Sequence, residues 1–196
     1  MTQSPEIRVF DGLEPLSWAA ATRFEENARV KAMEKKPFTV ALSGGSTPKL
    51  LYELLGSPTF AGRVRWPNVH LFQVDERCVP PDDPQSNYRM IRQALLESAP
   101  LPEENFHRMA AERPDREQAA HEYAEELARV LHPAPGEWPR LDLVFLGFLH
   151  LHPGPFQVLP GQVVHGVQGA RHDLVAAGPL PGEGGVVGHG GAHLPR

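Results

Sequence analysis

The hydrophobic pattern of this chain switches between two periods from residue 6 to residue 147. Short apolar runs predict four strands, of which the first alternates with polar residues as an edge strand would: residues 6–10, 38–42, 68–74 and 141–147. Apolar residues at helical spacing predict four helices: residues 15–35, 50–55, 87–97 and 114–131. Strands that alternate with helices predict an α/β fold, a doubly wound and mostly parallel sheet with helices on both faces.

The loop between the second strand and the second helix has the composition of an anion-binding site. It reads Ser43-Gly44-Gly45-Ser46-Thr47 and is followed by Pro48. Glycine lets the backbone turn and approach a ligand, proline suits the first position of a helix, and Ser46 or Thr47 is expected to cap it. The N–H groups and the dipole at a helix N-terminus favour phosphate. The alternative is an ordinary tight turn that binds nothing. The loop is neither a dinucleotide-binding fingerprint nor a P-loop, because G-x-G-x-x-G and G-x-x-x-x-G-K-[ST] are both absent.

A second polar cluster follows the strand at residues 68–74. Asp75, Glu76 and Arg77 come directly after this strand and precede a loop rich in proline. Open α/β sheets bind ligands at the carboxyl ends of their strands, and the Arg77 guanidinium suits a phosphate or a carboxylate. The alternative for Arg77 is an ion pair with a neighbouring carboxylate. Ser86 is predicted to cap the next helix.

Composition excludes several classes of protein. The chain has 196 residues, one cysteine and a net charge of -5, so it fits one ordinary domain without a basic surface for nucleic acid. Cys78 forms no internal disulfide and is expected to be a bystander thiol in a reducing cytosol. No apolar run reaches the ~20 residues of a membrane-spanning helix, and the N-terminus does not read as a signal peptide. We therefore expect a cytoplasmic protein with no nucleic-acid or membrane partner.

The composition changes abruptly after Gly147. Residues 148–196 hold 11 of the 18 glycines and no Lys, Ser, Thr or Ile, which predicts a disordered low-complexity segment. We divide the chain into an α/β domain at residues 1–147 and a Gly/Pro/His-rich tail at residues 148–196. No metal site is expected in the tail, since no cysteine and few carboxylates accompany its six histidines: His150, His152, His165, His172, His189 and His193.

Three segments of the chain together resemble a known enzyme family. They are Leu-Ser-Gly-Gly-Ser-Thr-Pro at residues 42–48, Asp-Glu-Arg-Cys-Val-Pro at residues 75–80 with Ser86-Asn87-Tyr88, and Leu-Asp-Leu-Val-Phe-Leu-Gly at residues 141–147. In order and spacing they resemble the 6-phosphogluconolactonase family, which belongs with the glucosamine-6-phosphate isomerase/deaminase group. Deaminases usually have Asp-Glu-Tyr where this chain has Asp75-Glu76-Arg77, so the resemblance favours the lactonases.

The resemblance implies hydrolysis of 6-phospho-D-glucono-1,5-lactone to 6-phosphogluconate in the oxidative pentose phosphate pathway, with no metal or organic cofactor. It implies that residues 43–47 bind the substrate phosphate, that Arg77 contacts the phosphate or the sugar acid, and that Asp75 orients Arg77 or binds sugar hydroxyls. The family's general base is a histidine in an Asp-Gly-His segment after the last matched strand. This chain has Gly-Phe-Leu-His-Leu-His-Pro there, and His152, within one residue of the expected position, is the candidate base.

Two other functions remain open at this point. One is a glucosamine-6-phosphate deaminase or isomerase, and the other is a non-catalytic module that binds sugar phosphates, of the kind found in some transcription regulators. A small sugar phosphate is the expected partner in every case, and the sequence leaves the oligomeric state open. Because the family match and four residue types are lost together, we hypothesise that the reading frame changes near codon 148. An intact gene with the same tail, and with no family sequence in the neighbouring frames, would reject this hypothesis.

Overall fold

The structure is a computed structural model that describes residues 8–146 and a two-residue strand further along the chain. The α-helices of this part are α1 (Leu13–Met33), α2 (Ser46–Gly56), α3 (Pro58–Ala61), α4 (Asn87–Ile91) and α5 (Arg116–Leu131). Its strands are β1 (Phe38–Leu42), β2 (Val69–Gln73), β3 (Glu76–Arg77), β4 (Phe106–His107), β5 (Leu143–Phe145) and β6 (Asp173–Leu174). His152 and the remainder of the tail lie outside the described residues, so the expectations for them stay predictions.

Four of these strands form a parallel sheet in the order β4-β2-β1-β5. Central strand β1 is buried along its whole length, as its continuous apolar run predicts for a strand covered on both faces. It pairs with β2 from Phe38 opposite Val69 to Leu42 opposite Gln73. The chain runs outward from β1 through β2 to β4 and then returns to the other side of β1 with β5. The strand order therefore reverses between β1 and β5.

Helices cover both faces of the sheet, which confirms the predicted doubly wound architecture. On one face, Phe38, Val40 and Leu42 belong to a buried cluster with residues of α1, α2 and α4. On the other face, Ala41 and Phe72 pack with Tyr123 of α5. A short antiparallel pair, β3 with β6, stands apart from the main sheet.

Three local predictions differ from the structure. Residues 8–10 form no strand, and Val9 is 89% exposed, because alternation alone does not supply a partner strand. Apolar residues at helical spacing are expected to face the core, yet Leu16 and Val30 of α1 are exposed, whereas Ser17 and Ala21 are buried. The buried face of α1 carries Ser17, Ala21, Phe24 and Ala28, so small side chains on both sides of Phe24 allow the helix to pack closely against its neighbours. The third difference is the cap of α2, which belongs to the site.

Candidate functional site

The loop between β1 and α2 presents an uncapped helix N-terminus. Gly45 occupies the N-cap position with φ of 96°, a conformation that favours glycine, and no side chain accepts a capping hydrogen bond. Ser46 is the first residue of α2 and Pro48 the third, so the expectation that Ser46 or Thr47 caps the helix is wrong. The first N–H groups of a helix have no partner within it, and Gly45 at the N-cap has no side chain that could supply one. The loop can therefore offer these donors to an anion.

A cleft of about 140 Å³ lies beside this loop, at the point where the strand order reverses. Ser43 and Thr47 form part of its wall, together with apolar residues of α1, α2 and the end of β5. Open parallel sheets bind ligands in the crevice outside the carboxyl ends of their strands at this reversal. The position of the cleft is thus the one that the topology favours for a ligand.

A hydrogen bond from a buried tyrosine fixes the backbone of Ser43. Its carbonyl oxygen accepts a hydrogen bond of 2.8 Å from the hydroxyl of Tyr52, which is fully buried. Burial raises the pKa of Tyr52 well above its usual value, and the charge of Asp75 adds to the shift, so the hydroxyl stays a donor. Ser43 itself is only 6% exposed, and its Oγ has no hydrogen-bond partner among the described residues. A buried hydroxyl in this position is available to a ligand oxygen.

Glu76 organises the second predicted cluster from inside the protein. Its side chain is 2% exposed and accepts hydrogen bonds of 2.7 to 3.2 Å from five donors: Gln73 Nε2, Arg77 N, Ser86 Oγ, Asn87 N and Tyr88 N. Ser86 also caps α4, as predicted, by accepting from the backbone N–H of Arg89. The carboxylate of Glu76 thus joins the end of β2 to the start of α4. Its role is to hold the backbone of this segment in place.

Asn87 brings the two predicted clusters together. Its Nδ2 donates to the backbone carbonyl of Asp75 at 3.1 Å, and its carboxamide lies where a side chain at residue 44 would stand. Asp75, which accepts this hydrogen bond, and Arg77 are both half-buried, although neither lines the cleft. The structure therefore connects the loop at residues 43–47 to Asp75, whereas His152 lies outside the described residues.

Sequence reasoning missed the structural roles of four residues that build this site: Tyr52, Gln73, Asn87 and Tyr123. Gln73 is 2% exposed, and the Tyr123 hydroxyl hydrogen-bonds to its backbone N–H and carbonyl at 2.8 and 2.9 Å. Its Oε1 accepts from the N–H of Met109, and its Nε2 donates to Glu76. A glutamine at the end of a mostly apolar strand was the available signal, since buried polar side chains require partners.

The four histidines of residues 8–146 lie away from the cleft. His70 and His107 hydrogen-bond to each other across β2 and β4, and His121 and His132 lie on or at the end of α5. Within that same range no three His, Cys, Asp or Glu side chains are arranged to hold a metal ion. None of the helices described here combines the length and the apolarity that crossing a bilayer requires.

Comparison with known proteins gives one consistent family. The sequence profile described as "Glucosamine-6-phosphate isomerases/6-phosphogluconolactonase" matches residues 13–148. A protein named 6-phosphogluconolactonase from Nostoc sp. is 44% identical over 110 residues, which are 56% of this chain and 44% of that protein. The structure of 6-phosphogluconolactonase from Trypanosoma cruzi superimposes with a TM-score of 0.64 at 31% identity, over 74% of this chain and 58% of the other.

A more distant structure supports the fold alone. A monomeric glucosamine-6-phosphate deaminase superimposes with a TM-score of 0.54 at 18% identity. The present chain spans about half the length of the curated relatives that it matches. The matched part includes the loop at residues 43–47 and the segment that contains Asp75 and Arg77.

Proposed function

This chain belongs to the glucosamine-6-phosphate isomerase/6-phosphogluconolactonase family, and on that premise we propose that it binds a sugar phosphate and hydrolyses 6-phospho-D-glucono-1,5-lactone to 6-phosphogluconate. This reaction belongs to the oxidative pentose phosphate pathway, and we assign it to the cytoplasm. The relatives that carry the name 6-phosphogluconolactonase support the proposal at 32 to 44% identity.

The observation that carries the proposal is the combination of Ser43 and the N-terminus of α2. A buried Ser43 hydroxyl with no partner in the described residues stands beside a helix start without a side-chain cap. The buried Ser43 hydroxyl would be costly in a structure that bound nothing there, since buried polar groups are normally satisfied. The start of α2 is exposed at Gly45, Ser46 and Thr47, so a ligand can reach its N–H groups from solvent. An anionic group such as the substrate phosphate supplies acceptors for the hydroxyl and for the N–H groups.

In this proposal the residues divide the work between binding and chemistry. Residues 43–47 bind the phosphate, Arg77 contacts the phosphate or the sugar acid, and Asp75 orients Arg77 or binds the sugar hydroxyls. Hydrolysis requires a general base that takes a proton from water as the water attacks the C1 carbonyl. Histidine suits this task near neutral pH, and His152 is the candidate in this chain.

The test is the hydrolysis of freshly generated 6-phosphogluconolactone by the 196-residue chain, measured against the spontaneous rate. We expect Arg77→Ala and His152→Ala to lose the catalysed rate. Arg65→Ala and His121→Ala are the matched controls, because Arg65 precedes β2 at the opposite end of the sheet and His121 is exposed on α5. Catalysis that survives His152→Ala would contradict the assignment of the base, and ammonia release from glucosamine 6-phosphate would identify a deaminase instead.

A second candidate function is a sugar-phosphate-binding module without catalysis. The observation in its favour is that residues 8–146 form a cleft with features of a phosphate site but bring no histidine to its wall. Its expected result is tight binding of 6-phosphogluconate, lost in Arg77→Ala, with a lactone hydrolysis rate equal to the spontaneous one.

A further inference from the structure

The contact between Gly44 and Asn87 has a specific geometry. Gly45 has a positive φ and needs to be glycine for its backbone, but Gly44 does not. What requires a glycine at residue 44 is space, because a Cβ there would overlap the carboxamide of Asn87. The Asn87 carboxamide thus occupies the space that a side chain at residue 44 would need.

Asn87 is tied down on two further sides. Its backbone N–H donates to Glu76 Oε1 at 2.7 Å, and its Nδ2 donates to the carbonyl of Asp75 at 3.1 Å. The residue is only 5% exposed, and it begins α4, so its backbone is also fixed by a helix. The carboxamide is therefore a rigid spacer between residue 44 and residue 75.

We propose that Asn87 is a positioning residue that sets the distance between the phosphate loop at residues 43–47 and the segment Asp75–Arg77. This inference rests on the proposed function, and of the two roles given there to Arg77 it takes the contact with the sugar acid, so that the loop alone binds the phosphate. A ligand that reaches both segments gains affinity only when they are held at the matching separation. Inorganic phosphate needs the loop alone and gains nothing from that separation.

The first test compares two ligands on the full chain. Dissociation constants for inorganic phosphate and for 6-phosphogluconate are measured by titration calorimetry with the wild type and with Asn87→Ala. We expect the preference for 6-phosphogluconate over phosphate to fall about tenfold or more, a loss of about 1.4 kcal/mol. A general loss of stability would weaken both ligands alike and leave the ratio unchanged.

Asn105→Ala is the matched control for this comparison. Asn105 is 7% exposed, and its Nδ2 donates to the backbone carbonyl of Pro67 at 3.2 Å, before β2 and away from the cleft. It loses the same type of hydrogen bond at similar burial. We expect Asn105→Ala to lower the melting temperature without altering the ratio of the two affinities.

The second test uses the overlap at residue 44. Gly44→Ala forces the Asn87 carboxamide out of its place, so the melting temperature and the preference for 6-phosphogluconate should both fall. In Gly44→Ala/Asn87→Ala the overlap is removed and the new methyl group partly fills the space. We expect this double variant to regain much of the melting temperature but not the preference, a coupling typical of residues in contact. It also serves as the ligand test if Asn87→Ala alone fails to fold.

The outcomes separate this inference from the function on which it rests. If the wild type prefers 6-phosphogluconate and the variants keep that preference within twofold, the positioning role is overturned while the proposed function stands. A wild type that binds neither ligand overturns the proposed function, and with it the positioning role. A preference lost in the Asn87 variants and kept in Asn105→Ala supports both.

Discussion

At the scale of single residues, the segment Asp75–Arg77 of the candidate site depends on buried polar side chains that are engaged in hydrogen bonds. Gln73 and Glu76 are each 2% exposed, and their hydrogen bonds join β2 to α4, α5 and the segment after β4. Such a network stabilises one arrangement when every member is satisfied and is costly when one member is not. The positions of Asp75 and Arg77 are consequences of this network.

Replacing Glu76 tests the network directly. Both carboxylate oxygens of Glu76 accept hydrogen bonds, and Glu76→Gln replaces one of them with an NH₂ group that cannot accept. The substitution also removes the negative charge at the N-terminus of α4. We expect the free energy of unfolding in urea to fall by about 2 to 4 kcal/mol. Glu53→Gln, at an exposed ion pair with Lys49, should change it by less than about 1 kcal/mol. Equal effects of the two variants would contradict the role given to Glu76.

At the scale of elements, a chain of charged and polar groups fastens α5 to β2 and β4. His70 Nδ1 lies 3.0 Å from His107 Nε2, His107 Nδ1 lies 2.7 Å from Glu126, and Glu126 pairs with Arg129. A carboxylate at Nδ1 makes that nitrogen of His107 the proton donor, so neutral His107 accepts from His70 at Nε2. A second proton on His107 would make its Nε2 a donor, so the hydrogen bond could persist only with His70 in its other tautomer.

The linked side chains of His70, His107, Glu126 and Arg129 predict a loss of stability in mild acid. Burial lowers the pKa of His107, partly opposed by Glu126, and burial followed by the charges of His107 and Arg129 lowers the pKa of His70. The unfolded state then binds protons below about pH 6.5 that the folded state does not, so the free energy of unfolding falls as the pH falls. One such proton gives a slope of at most about 1.4 kcal/mol per pH unit.

Urea unfolding at pH 7.5, 6.5 and 5.5 measures this slope. We expect His70→Gln to have a smaller slope than the wild type, because it keeps a polar side chain but removes one titrating group. His121→Gln, at an exposed histidine of α5, should keep the wild-type slope. A wild-type slope of zero, or one that His70→Gln leaves intact, would contradict the prediction. At lower pH a second group titrates. The pairing with Arg129 lowers the pKa of Glu126 to about 2, so the stabilisation that Glu126 gives the folded state is lost as the pH falls from about 4.5 to about 2.

At the scale of the whole molecule, β5 is an edge of the sheet that the described residues form. Among residues 8–146 and 173–174, β5 pairs with β1 and no strand pairs with its other edge. Val144 and Leu146 in and after this strand are 42% and 54% exposed. Unpaired strand edges with apolar side chains promote association between chains.

The reading-frame hypothesis concerns the residues that follow this edge, and resequencing of the gene tests it.

We therefore expect the 196-residue chain to self-associate through β5 at rising concentration. Val144→Lys places a charge on the edge strand and should lower the apparent mass in light scattering and size-exclusion chromatography. Val30→Lys is the matched control, since Val30 is 46% exposed on α1, away from any strand edge. If both variants associate like the wild type, β5 is not the contact.

Much of the architecture followed from the sequence because its signals are local. The apolar runs at residues 38–42, 68–74 and 141–147 predict β1, β2 and β5, and these strands and the parallel sheet are confirmed. The short elements β4 and α3 were not predicted, because two to four residues are too few to show a period. The small-residue loop at 43–47 and the polar cluster at 75–77 also came from composition and position. Local pattern failed where a partner was needed, as for the strand expected at residues 6–10, whose described part, residues 8–10, is not a strand.

The sequence by itself determined the fold class and the family, and it predicted the two segments of the candidate site. Only the tertiary structure decided how those segments meet: Asn87 against Gly44, Glu76 among five donors, and the Tyr123 hydroxyl on the backbone of Gln73, 50 residues away. Periods of two and 3.6 residues arise from the backbone within one element and can be read along the chain. Contacts between distant residues arise when elements pack on the sheet, and the crevice at the reversal of strand order exists only after β5 has returned beside β1.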